Sequence, residues 1–258
     1  MAEPRELEEF LTWKPGKLVP ILSKGIMYEG TRVFIYGRYK TMKSMLALRF
    51  ALAVSRGCPW LGFDTPVEGR SVMLLQLEIP EPMLHKRVMK MVLDAIPQKQ
   101  KMWIWTEPFL KLDTPGGWAR INQYLTKYQP QVLILDPIYK LMSGDLTATA
   151  PVQKLTSDID RLMAEHPGLA IMLVHHTRKE SADATRAWGS SDDMYGNMIF
   201  SAWADSLIRL ERGKYNEINV EFPVLRHAEE EIAPMTLFFN GYQLDFDTVP
   251  NIVGGQSG

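Results

Sequence analysis

Cys58 is the only cysteine among 258 residues. One thiol can form no internal disulfide, and no Cys-x-x-Cys pair is available to a metal, so the sequence fits a reducing, cytoplasmic setting. No uninterrupted apolar run reaches the length needed to cross a bilayer, so no membrane partner is expected. The first ten residues are acidic and lack the basic-then-apolar order of a secretory leader. An excess of charge of one sign is also missing. With a net charge of −1, no global basic field attracts a polyanion, and a nucleic acid would have to be held by a local patch. Internal repeats and low-complexity blocks are absent. What is present is 46% apolar and 23% charged residues, the balance of a globular domain with a sizeable core.

Residues 1–30 read as an N-terminal lead-in. Lys14-Pro15-Gly16 marks a turn, and the apolar run Val19–Met27 is expected to pack as a flap near a ligand. After it, short β-rich runs alternate with helical patterns, the signature of βαβ units and a parallel sheet. The expected strands are Arg32–Tyr36, Ser71–Leu77, Met102–Thr106, Gln131–Leu135 and Ala170–Val174. Their apolar content suits strands buried on both faces. The expected helices are Met42–Ser55, Glu81–Ala95, Gly117–Tyr128 and Val152–Glu165, from apolar spacings of three and four. Past residue 200, Ser206–Leu210, Glu217–Phe222, Met235–Asn240 and Tyr242–Phe246 read as strands joined by tight polar turns, a C-terminal antiparallel β extension of the same sheet. The expectation is a single domain over residues 1–250 with a flexible tail at 251–258.

Residues 37–44 read Gly-Arg-Tyr-Lys-Thr-Met-Lys-Ser, between an expected strand and an expected helix. This approximates the phosphate-binding pattern G-x-x-x-x-G-K-[ST], in which backbone N–H groups and a helix N-terminus hold a triphosphate. The ATP-binding candidates are Gly37, Arg38, Tyr39, Lys40, Thr41, Met42, Lys43, Ser44 and Met45. Lys43 is assigned to the β- and γ-phosphates, and the Ser44 hydroxyl to Mg²⁺. Met42 replaces the second glycine, which ordinarily supplies an unusual φ. The competing reading is a plain strand–turn–helix with a chance Lys-Ser.

Two carboxylates end other strands. Asp136 closes Gln-Val-Leu-Ile-Leu-Asp and is assigned, with Ser44, to Mg²⁺. Glu78 closes Leu-Leu-Gln-Leu-Glu, where a carboxylate can polarise an attacking water. Either alone is a common surface charge. Together with the loop they converge, because open α/β sheets bind ligands at the carboxyl ends of their strands. The run Ala170–Val174 leads into His175-His176-Thr177-Arg178-Lys179, and His176 is expected to hydrogen-bond a γ-phosphate. The polar loop from Lys179 to Asn197 offers Arg178, Lys179 and Arg186 for a phosphodiester backbone and Trp188 for stacking on a base. Glu180, Asp183, Asp192 and Asp193 dilute that charge, and a plain surface loop is the alternative. Trp103 and Trp105 read as packing residues.

These segments together resemble the RecA-like P-loop ATPases, in particular the branch of the plasmid RepA hexameric helicase and its phage relatives. The resemblance rests on Gly37…Lys43-Ser44, Gly57-Cys58-Pro59-Trp60-Leu61-Gly62, Leu77-Glu78, Leu135-Asp136-Pro137, Gly144-Asp145, His175–Lys179 and Ala204-Asp205-Ser206. It implies an α/β RecA-like core, a mostly parallel twisted sheet flanked by helices. It also implies ATP and Mg²⁺ as cofactors and assembly into a ring, as in a hexamer, or a filament. By position Glu78 resembles the family's catalytic glutamate and His176 its phosphate sensor. Arg226 resembles the arginine that completes a neighbour's site, with Val224 where the family often has a lysine. Two functions follow: an ATP-driven motor on single-stranded DNA in replication or recombination, or an ATP-switched loader that hydrolyses slowly and recruits replication or recombination proteins. A small-molecule kinase would need an arginine-rich lid, and no such segment is evident.

Overall fold

The structure, a computed structural model, describes residues 4–92, 101–177 and 198–248. Strands β3 (Arg32–Gly37), β4 (Val72–Gln76), β5 (Met102–Thr106), β6 (Val132–Asp136) and β7 (Ala170–His176) are mutually parallel. Helices α2 (Lys43–Arg56), α3 (Glu81–Met91), α4 (Pro115–Tyr128) and α5 (Thr149–Glu165) connect them. With β8 (Ser206–Arg212), β9 (Glu217–Leu225), β10 (Met235–Asn240) and β11 (Asp245–Thr248), the described sheet has the order β11-β10-β9-β8-β3-β7-β6-β4-β5.

The central strands are apolar throughout because both faces are covered. The side-chain period of two divides each strand between two cores. Val33 and Ile35 of β3 join Ile134 and Met172 on the face covered by α2. Phe34 and Tyr36 join Leu133, Leu135 and Ile171 on the face covered by α4 and α5, where Phe200 of the short helix α6 (Met198–Trp203) also packs. Trp103 and Trp105, on edge strand β5, rest against Tyr128 and Tyr124, the packing role expected of them.

Three expectations need correction. Ser206–Arg212 does not begin the antiparallel extension: β8 runs parallel to β3 and antiparallel to β9. The reason is a crossover. The Asp205 N–H donates to the Arg32 carbonyl, so the chain re-enters the sheet at the end where β3 starts. Tyr242 is not in a strand. Residues 241–244 turn, with Leu244 at φ 53°, and β11 starts at Asp245. Arg49 of α2 holds that turn by donating to the Gln243 and Leu244 carbonyls and pairing with Asp245 at 2.8 Å.

The segment Val19–Met27 is also not a flap over a ligand. It forms β1 (Pro20–Leu22) and β2 (Met27–Tyr28), a hairpin that buries Ile21, Leu22, Ile26 and Met27. Gly30 donates to the carbonyl of Gly168, just before β7. The hairpin therefore lies at the amino ends of the parallel strands, opposite the phosphate loop. Before it, α1 (Leu7–Thr12) buries no residue. Residues 93–100 and the expected tail at 251–258 lie outside the described residues.

Candidate active site

The tips of β3, β4, β6 and β7 bring the candidate residues together. Gly37 ends β3 with φ +155°, and a Cβ there would collide with the Leu210 carbonyl oxygen of β8. Only glycine lets the loop leave the sheet so close to that strand. The loop then rises through the exposed Arg38, Tyr39 and Lys40 and descends at the buried Thr41.

Lys43, the first residue of α2, is 3% exposed. Its ammonium donates to the carbonyls of Gly37 (2.8 Å) and Arg38 (2.6 Å) and to the Thr41 hydroxyl (3.2 Å). Burial lowers Lys43 to about 8, against the opposing pull of Asp136 and then Glu78. It thus keeps its charge at neutral pH in a poorly hydrated position, where an anion gains most from it. No side chain caps the N-terminus of α2. Its first N–H groups, lacking intrahelical acceptors, form an anion site directly beside this ammonium.

Met42, where the motif's second glycine would stand, adopts φ 64° and ψ 20°. The backbone retains the left-handed conformation that glycine takes freely, at a cost to an L-residue of roughly 1–2 kcal/mol. The half-buried Met42 side chain packs against the α2-side core and offsets part of this. Met42→Ala loses the packing and keeps the strain, whereas Met42→Gly loses the packing and relieves it. Chemical denaturation is therefore expected to rank the Met42→Gly variant above the Met42→Ala variant by about 1 kcal/mol, the reverse of the order of glycine and alanine in a helix interior. Equal stabilities would place this backbone outside the left-handed region.

Asp136 ends β6 and is 2% exposed. Oδ1 accepts the Ser44 hydroxyl at 3.0 Å and Oδ2 accepts the Gln76 amide at 2.8 Å. Burial raises Asp136 to about 6 despite those bonds. An ordinary carboxylate titrates near 3.8, so between about 4 and 6 the folded state binds the extra proton. Stability from this group is present at low pH and is lost as pH rises through 6. Asp136→Asn is thus expected to stabilise the nucleotide-free chain at pH 7.5 by about 1–3 kcal/mol, with the difference vanishing below pH 4. Denaturation at both pH values tests this. A destabilised variant at pH 7.5 would show that the hydrogen bonds outweigh the desolvation.

A buried carboxylate beside a hydroxyl is an all-oxygen donor set in need of a cation, which suits Mg²⁺. Ser44 and Asp136 would hold the ion between them, and Lys43 with the α2 N-terminus suits a polyphosphate. The residues present fit both groups.

Gln76 is a residue that the sequence reading missed. Its amide grips Asp136, and its Oε1 accepts the N–H groups of Glu78 (2.8 Å) and Ile79 (3.1 Å). One side chain thereby sets the position of both acidic strand ends. The available signal was a polar residue closing the otherwise apolar strand Val-Met-Leu-Leu-Gln. Tyr139 was also missed. It sits in the 3₁₀ turn Ile138–Leu141 after β6 and is raised above its ordinary value by burial first, then by the charge of Glu78 and a hydrogen bond to it. Glu78 itself is exposed at the mouth of the site.

His176 lies between the rings of Tyr39 (5.9 Å) and Tyr139 (5.8 Å). It lines a cavity of about 260 Å³ with Tyr139, Gly144, Asp145 and Leu146. Burial, with Lys43 adding to it, lowers His176 to about 4. At neutral pH it is a neutral imidazole, able to donate one hydrogen bond without adding charge. Its Nδ1 is buried and has no hydrogen-bond partner among the described residues.

Arg226 does not join this cluster. It follows β9 at the opposite end of the sheet, where its guanidinium donates to the Ala202 carbonyl and its N–H to the Asp205 carbonyl. Asp205 accepts both the N–H and the Nε–H of Arg32. Gly57 ends α2 in a left-handed cap. Arg178, Lys179, Arg186 and Trp188 lie outside the described residues. No described helix is long and apolar enough to cross a membrane.

A strand–loop–helix with a buried lysine, a serine of that helix hydrogen-bonded to a strand-end aspartate, and a mostly parallel sheet with antiparallel strands on one side define a RecA-like P-loop ATPase fold. The chain belongs to the AAA domain family, which matches residues 4–182. A KaiC-like protein from the hyperthermophilic archaeon Pyrococcus horikoshii has a similar structure. Its TM-score is 0.60 at 15% identity, over 90% of this chain and 100% of that one. The flagellar accessory protein FlaH from Methanocaldococcus jannaschii superimposes with a TM-score of 0.56 at 14% identity, over 86% of this chain and 90% of its own. At such identities the likeness concerns the fold. No curated protein matches the sequence.

Proposed function

We propose that this chain hydrolyses ATP and couples hydrolysis to single-stranded DNA as a helicase- or recombinase-like motor. The observation that carries the hydrolytic part is the convergence of Lys43 and Ser44, at the start of α2, with Asp136 at the end of β6 and Glu78 just after β4, with Lys43 within electrostatic reach of both carboxylates. On ATP binding, the Lys43 ammonium exchanges the Gly37 and Arg38 carbonyls for β- and γ-phosphate oxygens. Ser44 and Asp136 would hold a Mg²⁺ ion, which would supply charge neutralisation at the phosphate oxygens. The Glu78 carboxylate orients a water and takes its proton as the water oxygen attacks the γ-phosphorus and the bridging oxygen departs with ADP. His176 donates to the γ-phosphate and transmits its presence to the following loop. Arg226, distant from its own loop, would act only on a neighbour's nucleotide within a ring or filament.

The DNA part rests on the resemblance to the RepA branch and on Arg178, Lys179, Arg186 and Trp188 following β7. A second reading, an ATP-switched loader with slow turnover, is favoured by one observation: Met42 keeps the loop in a left-handed turn that costs an L-residue strain. Steady-state ATPase rates with and without single-stranded DNA separate the two. The motor reading expects stimulation of about 10²-fold or more, the range in which one positioned transition-state group acts. Slow turnover indifferent to DNA supports the loader instead.

A further inference from the structure

We propose that residues 5–13 form an arm that docks on α3 of a second copy of this chain. This deepens the assembly part of the function proposed above and rests on it only there. Every residue from 4 to 18 is exposed, and α1 buries nothing on its own chain. Yet the arm carries Leu7 (72% exposed), Phe10 (54%), Leu11 (73%) and Trp13 (42%) within seven residues. Such a density of large apolar side chains on a segment with no buried residue marks an interaction site. The arm is also pre-shaped. The Arg5 guanidinium lies 4.4 Å from the Trp13 ring centre, and Phe10 and Trp13 are 5.8 Å apart. Ordering before contact lowers the entropic cost of docking. The AAA domain match begins at residue 4, so the arm is part of the matched domain.

Charge selects the partner. The arm holds Glu6, Glu8 and Glu9 against Arg5. An acidic amphipathic segment is repelled by anionic lipid, which recruits basic helices instead. A described surface with the opposite character is α3. It exposes Met83 (60%) and Met89 (50%) beside the exposed Lys86 and Lys90, with Glu81 its one acid. Lys86 and Lys90 are one helical turn apart, so they present two cations on one stripe. Flexible methionines flanked by lysines suit an aromatic, glutamate-rich partner. Residues 13–19, when extended, reach about 23 Å from the hairpin, enough to cross a subunit boundary.

Sedimentation velocity of the full chain over a concentration series, with and without ATP, tests this. Glu8→Lys/Glu9→Lys on the arm and Lys86→Glu/Lys90→Glu on α3 are each expected to weaken self-association at least tenfold. A one-to-one mixture of the two variants is expected to recover a dimer, because the reversed arm of one then meets the reversed helix of the other. Fluorescent ATP-analogue binding, measured in parallel, stays unchanged since none of the four residues touches the nucleotide site. Wild-type protein that remains monomeric throughout, variants that associate as the wild type does, or a mixture no stronger than its components would each overturn the proposal. Loss of analogue binding with assembly intact would count against the ATPase reading and leave the arm unaffected.

Discussion

Lys43→Ala is expected to abolish measurable ATP binding, a loss of at least about 100-fold in affinity, from the removal of a charge-assisted contact in a poorly hydrated site. The side chain is nearly fully buried and is held by two loop carbonyls and a hydroxyl. Among the described residues no neighbouring cation is placed to replace it, because Arg38 and Lys40 stand on the exposed part of the loop. Fluorescent-nucleotide titration reads the loss directly. A second readout is independent of nucleotide. The native ammonium titrates near 8 while the unfolded one titrates near 10.5. Between those values the unfolded chain binds more protons, so wild-type stability rises with pH across that window. Lys43→Ala should lack this rise. A variant that still binds ATP at wild-type affinity would remove the loop from the nucleotide site altogether.

Glu78→Gln carries the other large effect. The side chain is exposed. Its backbone is held by the Gln76 side-chain carbonyl, and its carboxylate accepts from the Tyr139 hydroxyl, a bond that the carbonyl oxygen of glutamine can also accept. Glutamine therefore preserves the geometry while removing the proton acceptor. Turnover is expected to fall about 10²- to 10⁴-fold, the usual contribution of a general base, with KM and nucleotide affinity little changed. The contrast with Lys43→Ala is diagnostic, since one variant fails to bind and the other binds without turning over. Single-turnover hydrolysis persisting within a few fold of wild type would mean that another group activates the water. Gln76 itself is a positioning residue. Its replacement by Leu would release both acidic strand ends and leave a buried Asp136 oxygen unpaired, which costs stability as well as activity.

Much of the site was legible because its determinants are local. A glycine, a lysine and a serine at fixed spacing between a strand and a helix need only the chain's own geometry to form a phosphate cradle. Asp136, ending β6, and Glu78, just past β4, could be picked out as candidates because a parallel sheet gathers its carboxyl ends on one side. Gln76 and Tyr139 escaped notice because their significance lies in what they touch across strands, which no spacing reveals. Arg226 was expected, from the resemblance, to reach a neighbour's site rather than its own. The fold sends β9 antiparallel, so the residue after it emerges at the far end of the sheet.

By itself the sequence determined the alternation of strand and helix, the two-sided burial of the central strands and the strand–loop–helix of residues 32–56. Each of these follows from periodicity and backbone conformation within a short stretch of neighbouring residues. Only the tertiary structure decided that β8 runs parallel beside β3, that the hairpin of Val19–Met27 plugs the opposite end, and that Asp136 sits dry enough to hold a proton up to about 6. Those outcomes depend on pairings between residues far apart in the chain, and on the water that such pairings exclude.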